Sequence, residues 1–414
     1  MSPLILAALK IGLVIFGLMT AAAYFVLLER RIAAWVQDRR GPNRVGLPLS
    51  LINRRWKDLR LFGLGQPVAD GVKFILKEEY TPAHVDQRLF VLAPISILAA
   101  ALAVFAVIPF GSQVPPIPGV SDEPIPLIVA PGFDVGIIYV FALSSIAVYG
   151  VILGGWASNS KYSFLGGLRS SAQMIAYELP LGLGILGVVL ATGSLRLDDV
   201  IGRQAETGIW FLVAQPLGFI VFVVAAFAEA ARLPFDLPEA EQELIGGYHT
   251  EYSGLKLLFF LVAEFLHMIT AAFLIVILFL GGWHFWGLTG GGNEITWWTA
   301  IVRMVVFAVK IVAVILFFML VRWSWPRFRF DQLMSLAWKV MLPLGLLNLV
   351  VVAIVEEIKM VYNDDLSLMA TILLGLVPWV TLVVGSVGVA SLGPLVTDNR
   401  PRRTLHEFEI DPQV

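Results

Sequence analysis

Nine blocks of roughly 20 mostly apolar residues recur along this chain, each long enough to cross the hydrocarbon core of a bilayer. They fall at about 4–28, 89–110, 134–156, 172–192, 209–229, 255–281, 300–321, 336–355 and 367–391. No strand-like alternation interrupts them, so helices, rather than a barrel, must satisfy the backbone in lipid. With 58% hydrophobic and 14% charged residues among 414, the composition agrees. The expected fold is all-α: a polytopic integral membrane protein of about nine transmembrane helices. Residues 1–392 form one membrane domain and 393–414 a tail. The first block lacks a basic start, and its charges, Glu29, Arg30 and Arg31, follow the apolar run. It is therefore expected to stay in the chain and not to be cleaved as a signal peptide.

Lys and Arg divide unevenly between alternate loops, the asymmetry that sets orientation. Residues 29–88 hold twelve of them. Lys161 and Arg169, Arg232 and Lys256, then Arg322, Arg327 and Arg329, then Arg400, Arg402 and Arg403 continue the basic side. The opposite loops hold only Arg196, Arg203 and Lys359. The odd loops and the C-terminus are thus expected in the cytoplasm and the N-terminus outside. In the first loop, Val68, Val72, Ile75 and Leu76 share one face of a helix opened by Pro67, with Asp70, Lys73 and Lys77 elsewhere on the wheel. This amphipathic helix is too short to span. It is predicted to lie either at the cytoplasmic membrane interface or against the protein's own cytoplasmic side. The Pro-rich stretch 114–126 reads as an outward-facing connector.

Zero cysteines exclude iron–sulfur ligation and disulfides. Of His84, His249, His267, His284 and His406, only His267 lies well inside a block, which leaves no facing pair for a haem. No electron carrier is expected on this chain. Gly182, Gly184 and Gly187 spell GxGxxG, but inside an apolar helix they read as close helix packing, as do Gly150 and Gly154. No phosphate-binding GxxxxGK[ST] or metal-binding HExxH is present.

Ionisable residues carry more weight, because burying them in lipid is unfavourable without a partner or a function. Glu178 and Glu264 lie in the cytoplasmic half of their blocks, and Glu229 ends its own. Glu229 leads into RLPFDLPEAEQEL, residues 232–244, where Arg232 precedes Asp236, Glu239, Glu241 and Glu243. The bland reading is a solvated acidic loop, with the two intramembrane carboxylates paired to buried bases such as Lys310. Against it, Leu233, Pro234, Phe235, Leu237 and Pro238 interleave with the charges, which favours a loop folded back on the membrane domain. Crowded carboxylates in such a loop titrate as a coupled set and suit a proton relay. His267, three residues after Glu264, extends that relay or serves as a hydrogen-bonded structural histidine.

ERRIAAWVQDRRGPNRVG (29–46), QPVADGVKF (66–74), SNSKYSFLGGLRSSAQMIAYELP (158–180), AEAARLPFDLPEAEQELIGGYHTEYSG (228–254) and RFRFDQLMSLAWKVMLP (327–343) closely resemble one family. It is that of the membrane H subunit of bacterial respiratory complex I, the proton-translocating NADH:quinone oxidoreductase. The resemblance covers the first eight blocks. It implies a bacterial inner-membrane subunit joining peripheral-arm quinone-site subunits to antiporter-like membrane subunits, with lipid but no nucleic acid as a further partner. Quinone, shared with a partner subunit, is the implied cofactor, and flavin, haem and clusters are implied elsewhere. Matched by position, Arg30, Trp35, Gln37, Arg39, Asp70, Lys73 and Phe74 fall near the quinone-chamber entrance, with Arg232 and Phe235 in its wall. Glu178, Glu229, Asp236, Glu239, Glu241, Glu243 and Glu264 match an acidic channel. Arg232 is implied either to orient the loop by pairing with its acids or to touch the quinone head group.

Two features depart from that family: an insertion, LPLSLINRRWKDLRL, with Arg54, Arg55, Lys57 and Arg60, and the ninth block with its charged tail. Three other readings stay open at this point: a related anchor subunit of a hydrogenase-type complex, a stand-alone ion-coupled transporter, and a purely structural anchor.

Overall fold

A computed structural model describes residues 3–46, 61–118, 121–236, 246–289, 296–362 and 368–391. Among them the chain is helical nearly throughout. Its elements are α1 (Pro3–Val36), α2 (Gln66–Leu76), α3 (Gln87–Ala103), α4 (Gly136–Ala157), α5 (Lys161–Thr192), α6 (Leu197–Thr207), α7 (Phe211–Ala214), α8 (Pro216–Glu229), α9 (Gly254–Phe279), α10 (Trp297–Ser324), α11 (Phe330–Ser335), α12 (Leu342–Val361) and α13 (Leu368–Ser391). A π-helical stretch, Leu336–Met341, joins α11 to α12 in one continuous rod. Among the described residues, eight helices are long and apolar enough to cross a membrane. The all-α polytopic expectation holds.

The fifth expected crossing, 209–229, is broken. Gln215 leaves helical geometry (φ −138°, ψ 62°), and Pro216, which has no backbone N–H, restarts the helix as the 14-residue α8. Side-chain amides tie the segment around the break to its neighbours. Gln215 Nε2 donates to the Gly187 carbonyl at 3.0 Å, and Gln204 Oε1 accepts from the Phe211 N–H at 3.1 Å. The Pro-rich connector also holds more order than its composition suggests. Gln113–Val114 and Ile125–Pro126 pair as a short antiparallel ladder, β1 and β2, and Lys10 Nζ of α1 donates to the Pro126 and Ile128 carbonyls at 2.9 and 3.1 Å.

The helix α9 is the central post, buried along most of its length, while α1 and α13 lie at the edge. Close helix approach accounts for Gly184, where a Cβ would stand 3.2 Å from the Gly218 carbonyl oxygen of α8, and for Gly187 beside Gln215. Gly182 has nothing within 4 Å, so packing does not explain it. Lys310 does not pair with the carboxylates. Its ammonium caps the far end of α9, donating to the carbonyls of Leu280, Gly282 and His284 at 2.7, 2.9 and 2.7 Å.

Candidate functional site

The chain leaves α8 through a sharp turn at Ala231 (φ 48°), a left-handed conformation uncommon outside glycine. That turn inserts Arg232 between helices, where it is 4% exposed. Its Nη1 lies 3.4 Å from Glu29 Oε2 of α1, and its Nε lies 3.0 Å from Glu264 Oε1 of α9. The guanidinium also sits 4.3 Å from the Phe265 ring centre, a cation–π placement. The second oxygen of Glu29 is paired with Arg322 of α10. Two guanidiniums thus face two carboxylates, and this balance is what lets four charges stay inside the bundle. Three helices and one loop are stitched together at a single point.

The first residues past Arg232 fold back on the bundle, as the interleaving of Leu233, Pro234 and Phe235 with the charges predicts, while Leu237 and Pro238 lie outside the described residues. Phe235 is 4% exposed and packs between Tyr177 and Phe328, with ring centres 5.6 and 5.7 Å away. Gln173 Nε2 of α5 donates to the Ala228 and Phe235 carbonyls at 3.0 and 2.8 Å, a pair of bonds that holds both ends of the turn. Asp236 pairs with Arg327 at 3.4 Å. The returning strand of the loop meets α5 at Gly166, where a Cβ would stand 2.7 Å from the Gly247 carbonyl carbon. Only glycine permits that approach.

Two further carboxyls, both half-buried, lie on α5 and at the end of α8. Glu178 of α5 accepts from Ser145, and Glu229 from Ser144, neighbouring residues of α4. The two carboxyls are close enough to interact electrostatically. Because α5 begins at Lys161 instead of 172, Glu178 stands roughly 25 Å along its helix.

The residues expected near the chamber entrance form a separate, exposed group. Arg30 Nη1 lies 2.9 Å from Asp70 Oδ2, and Gln66 Nε2 donates to the other Asp70 oxygen at 2.9 Å. Arg39 Nε donates to Gln37 Oε1 at 2.7 Å. Trp35 is 65% exposed, Lys73 is exposed and Phe74 half-buried. No residue of α2 is buried, and Val68, Val72, Ile75 and Leu76 all face outward. The structure therefore divides the expected site residues into two sets. One lines an exposed amphipathic corner between α1 and α2. The other, Arg232, Phe235, Asp236, Glu178, Glu229 and Glu264, is enclosed. Glu239, Glu241 and Glu243 lie outside the described residues, as do Arg54, Arg55, Lys57, Arg60 and the tail.

Sequence reasoning missed Glu29, Arg322, Arg327 and the serine pair. Glu29 reads as a charge just past an apolar run, and only the continuation of α1 to Val36 places it inside.

The fold and this enclosed ionic cluster define the class: a polytopic, all-α membrane protein organised around intramembrane acids and bases. The family model described as NADH dehydrogenase matches residues 9–353. The chain is 46% identical over 342 residues to an H-type subunit of NADH-quinone oxidoreductase from Geobacter metallireducens, covering 83% of this chain and 94% of that one. It is 46% identical over 358 residues to NADH-quinone oxidoreductase subunit 8 of Thermus thermophilus, covering 86% and 89%. The H-type subunit of the Bacillus cytotoxicus enzyme is 43% identical over 346 residues, covering 84% and 92%. The chain belongs to the NADH dehydrogenase family, as a membrane subunit of multisubunit NADH-quinone oxidoreductase, and its partners are the other subunits of that complex.

Proposed function

We propose that this chain forms the membrane side of a quinone chamber in a bacterial inner-membrane complex and couples quinone reduction to proton translocation through its enclosed carboxylates. The observation that carries the reading is the Arg232 hub. One buried guanidinium ties the loop to Glu29 and Glu264, while Glu229, at the end of the helix that feeds the same loop, stands beside Glu178.

Quinone suits the corner between α1 and α2. Its isoprenoid tail finds exposed Trp35 and the apolar face of α2, and its carbonyls find the donors Arg30, Arg39 and Lys73 beside Asp70. The peripheral subunits complete the chamber and supply the electrons. Reduction of a quinone draws two protons to its oxygens, which changes the charge demand on nearby groups. Arg30 follows Glu29 in α1, so a change at the Arg30–Asp70 pair lies one residue from the hub. In a low-dielectric interior a displaced charge is felt strongly by its neighbours. A shift in the Glu29–Arg232–Glu264 balance then alters which of Glu178 and Glu229 holds a proton, and the loop carries that change towards the pumping subunits. Asp236, with Glu239, Glu241 and Glu243, belongs to the same acidic set. Orientation follows the basic loops, with the hub end in the cytoplasm, the N-terminus outside and the C-terminus cytoplasmic.

The test uses the assembled complex in proteoliposomes. Glu178→Gln and Glu229→Gln are expected to lower NADH-driven proton uptake by about tenfold or more, as loss of one charge-carrying group from a coupled pair should. Full pumping in both variants would refute the coupling role.

A further inference from the structure

Two carboxylate groupings occupy the interior: Glu29 and Glu264 around Arg232, and the Glu178–Glu229 pair against α4. Between α4, α5, α8 and α9 lies a small cavity lined by Ser144, Glu229, His267 and Thr270 amid apolar side chains such as Phe141 and Leu274. It has room for about one water molecule. His267 Nε2 is buried and has no hydrogen-bond partner among the described residues. Thr270 donates its hydroxyl hydrogen to the Leu266 carbonyl at 3.0 Å, which leaves its lone pairs as acceptors. Glu229 already accepts from Ser144 and has acceptor capacity left.

An apolar void of this size stays dry, whereas one bounded by several unsatisfied polar atoms holds water. Here the ring nitrogen, the carboxyl and the threonine oxygen supply three partners, the number a buried water typically uses. His267 also follows Glu264 by three residues, one turn along the same face of α9. The imidazole that lines the cavity with Glu229 is thus a helical neighbour of Glu264.

We propose that His267 is a positioning residue that holds a single water molecule against Glu229, so that water and imidazole together bridge the Glu178–Glu229 pair to the Arg232 hub. The water donates to the carboxyl and fixes its direction, and the ring nitrogen anchors the water. The bridge itself stands on the cavity. Its use in coupling rests on the function proposed above.

Two measurements on the assembled complex test it. In the wild-type complex, a density map that resolves ordered waters is expected to show a peak within hydrogen-bond distance of both His267 Nε2 and Glu229. A cavity with no such peak overturns the proposal. Redox-difference infrared spectra then locate the Glu229 carboxyl band as the one removed by Glu229→Gln. His267→Leu is expected to move that band to higher frequency, the sign of a lost hydrogen bond, and His267→Gln to restore it. An unmoved band in His267→Leu overturns the bridge while leaving the coupling role standing. If Glu229→Gln pumps normally while the wild-type peak is present, the coupling role fails and the water site survives.

Discussion

At the scale of single residues the molecule is governed by pairing. Arg232 bridges Glu29 and Glu264 while Arg322 also pairs with Glu29, so removing Arg232 leaves one guanidinium facing two carboxylates. Arg232→Met is expected to destabilise the protein by about 3–5 kcal/mol, the usual penalty for orphaning a buried charge. Thermal unfolding of the purified complex would measure it, and Arg232→Lys should recover part, because one ammonium cannot reach both acids in the same geometry. Far from the hub, burial, with Lys310 and Arg303 nearby, holds the His284 imidazole below its ordinary range. The folded loop therefore binds fewer protons than the unfolded chain below neutral pH, and stability there falls as pH drops through the unfolded histidine value. His284→Gln should flatten that acid-side dependence in a melting-temperature series from neutral to mildly acidic pH. Little of this pairing is legible in the sequence. Arg232 and Glu264 stand out as charges near apolar blocks, but nothing local says that they meet, and Glu29 looks interfacial until α1 is seen to run on past it.

At the scale of elements, helix existence follows directly from apolar run length, and helix ends follow from tertiary support. The break at Gln215 is hidden because 209–228 is apolar on both sides of that one glutamine. Pro216 is its one local sign, and the bonds of Gln204 to the Phe211 N–H and of Gln215 to the Gly187 carbonyl that hold the broken segment are tertiary. Likewise α5 begins at Lys161, before its apolar block, because its first turns carry the loop contact at Gly166. That contact makes a sharp prediction. Gly166→Val has no space at the Gly247 backbone, so residues 246–253 should lose amide hydrogen-exchange protection while α9 keeps its own. At the edge, Trp379 Nε1 of α13 donates to the Val213 carbonyl at 3.0 Å, which ties the ninth block to the broken segment. Trp379→Phe is expected to lower stability by roughly 1 kcal/mol, the net worth of one such bond. A comparable thermal shift in the full complex would confirm that α13 braces the break.

For the whole molecule, the arrangement separates two environments along one set of helices. In the proposed function the exposed corner of α1 and α2 meets an amphiphile, and the acids a helix away respond to it. The basic-loop asymmetry supports the proposed orientation, and a chain without cysteine makes it directly measurable. In intact spheroplasts, Thr207→Cys should react with an impermeant maleimide, and Ser324→Cys only after permeabilisation. The central claim is that proton occupancy of the enclosed carboxyls follows the redox state of the quinone. Infrared difference spectra of the assembled complex, recorded between oxidised and reduced quinone, test it most directly. The account predicts a protonated-carboxyl band that changes on reduction and is lost in Glu178→Gln or Glu229→Gln. Carboxyl bands identical in the two redox states, with quinone reduction proceeding at full rate, would contradict it.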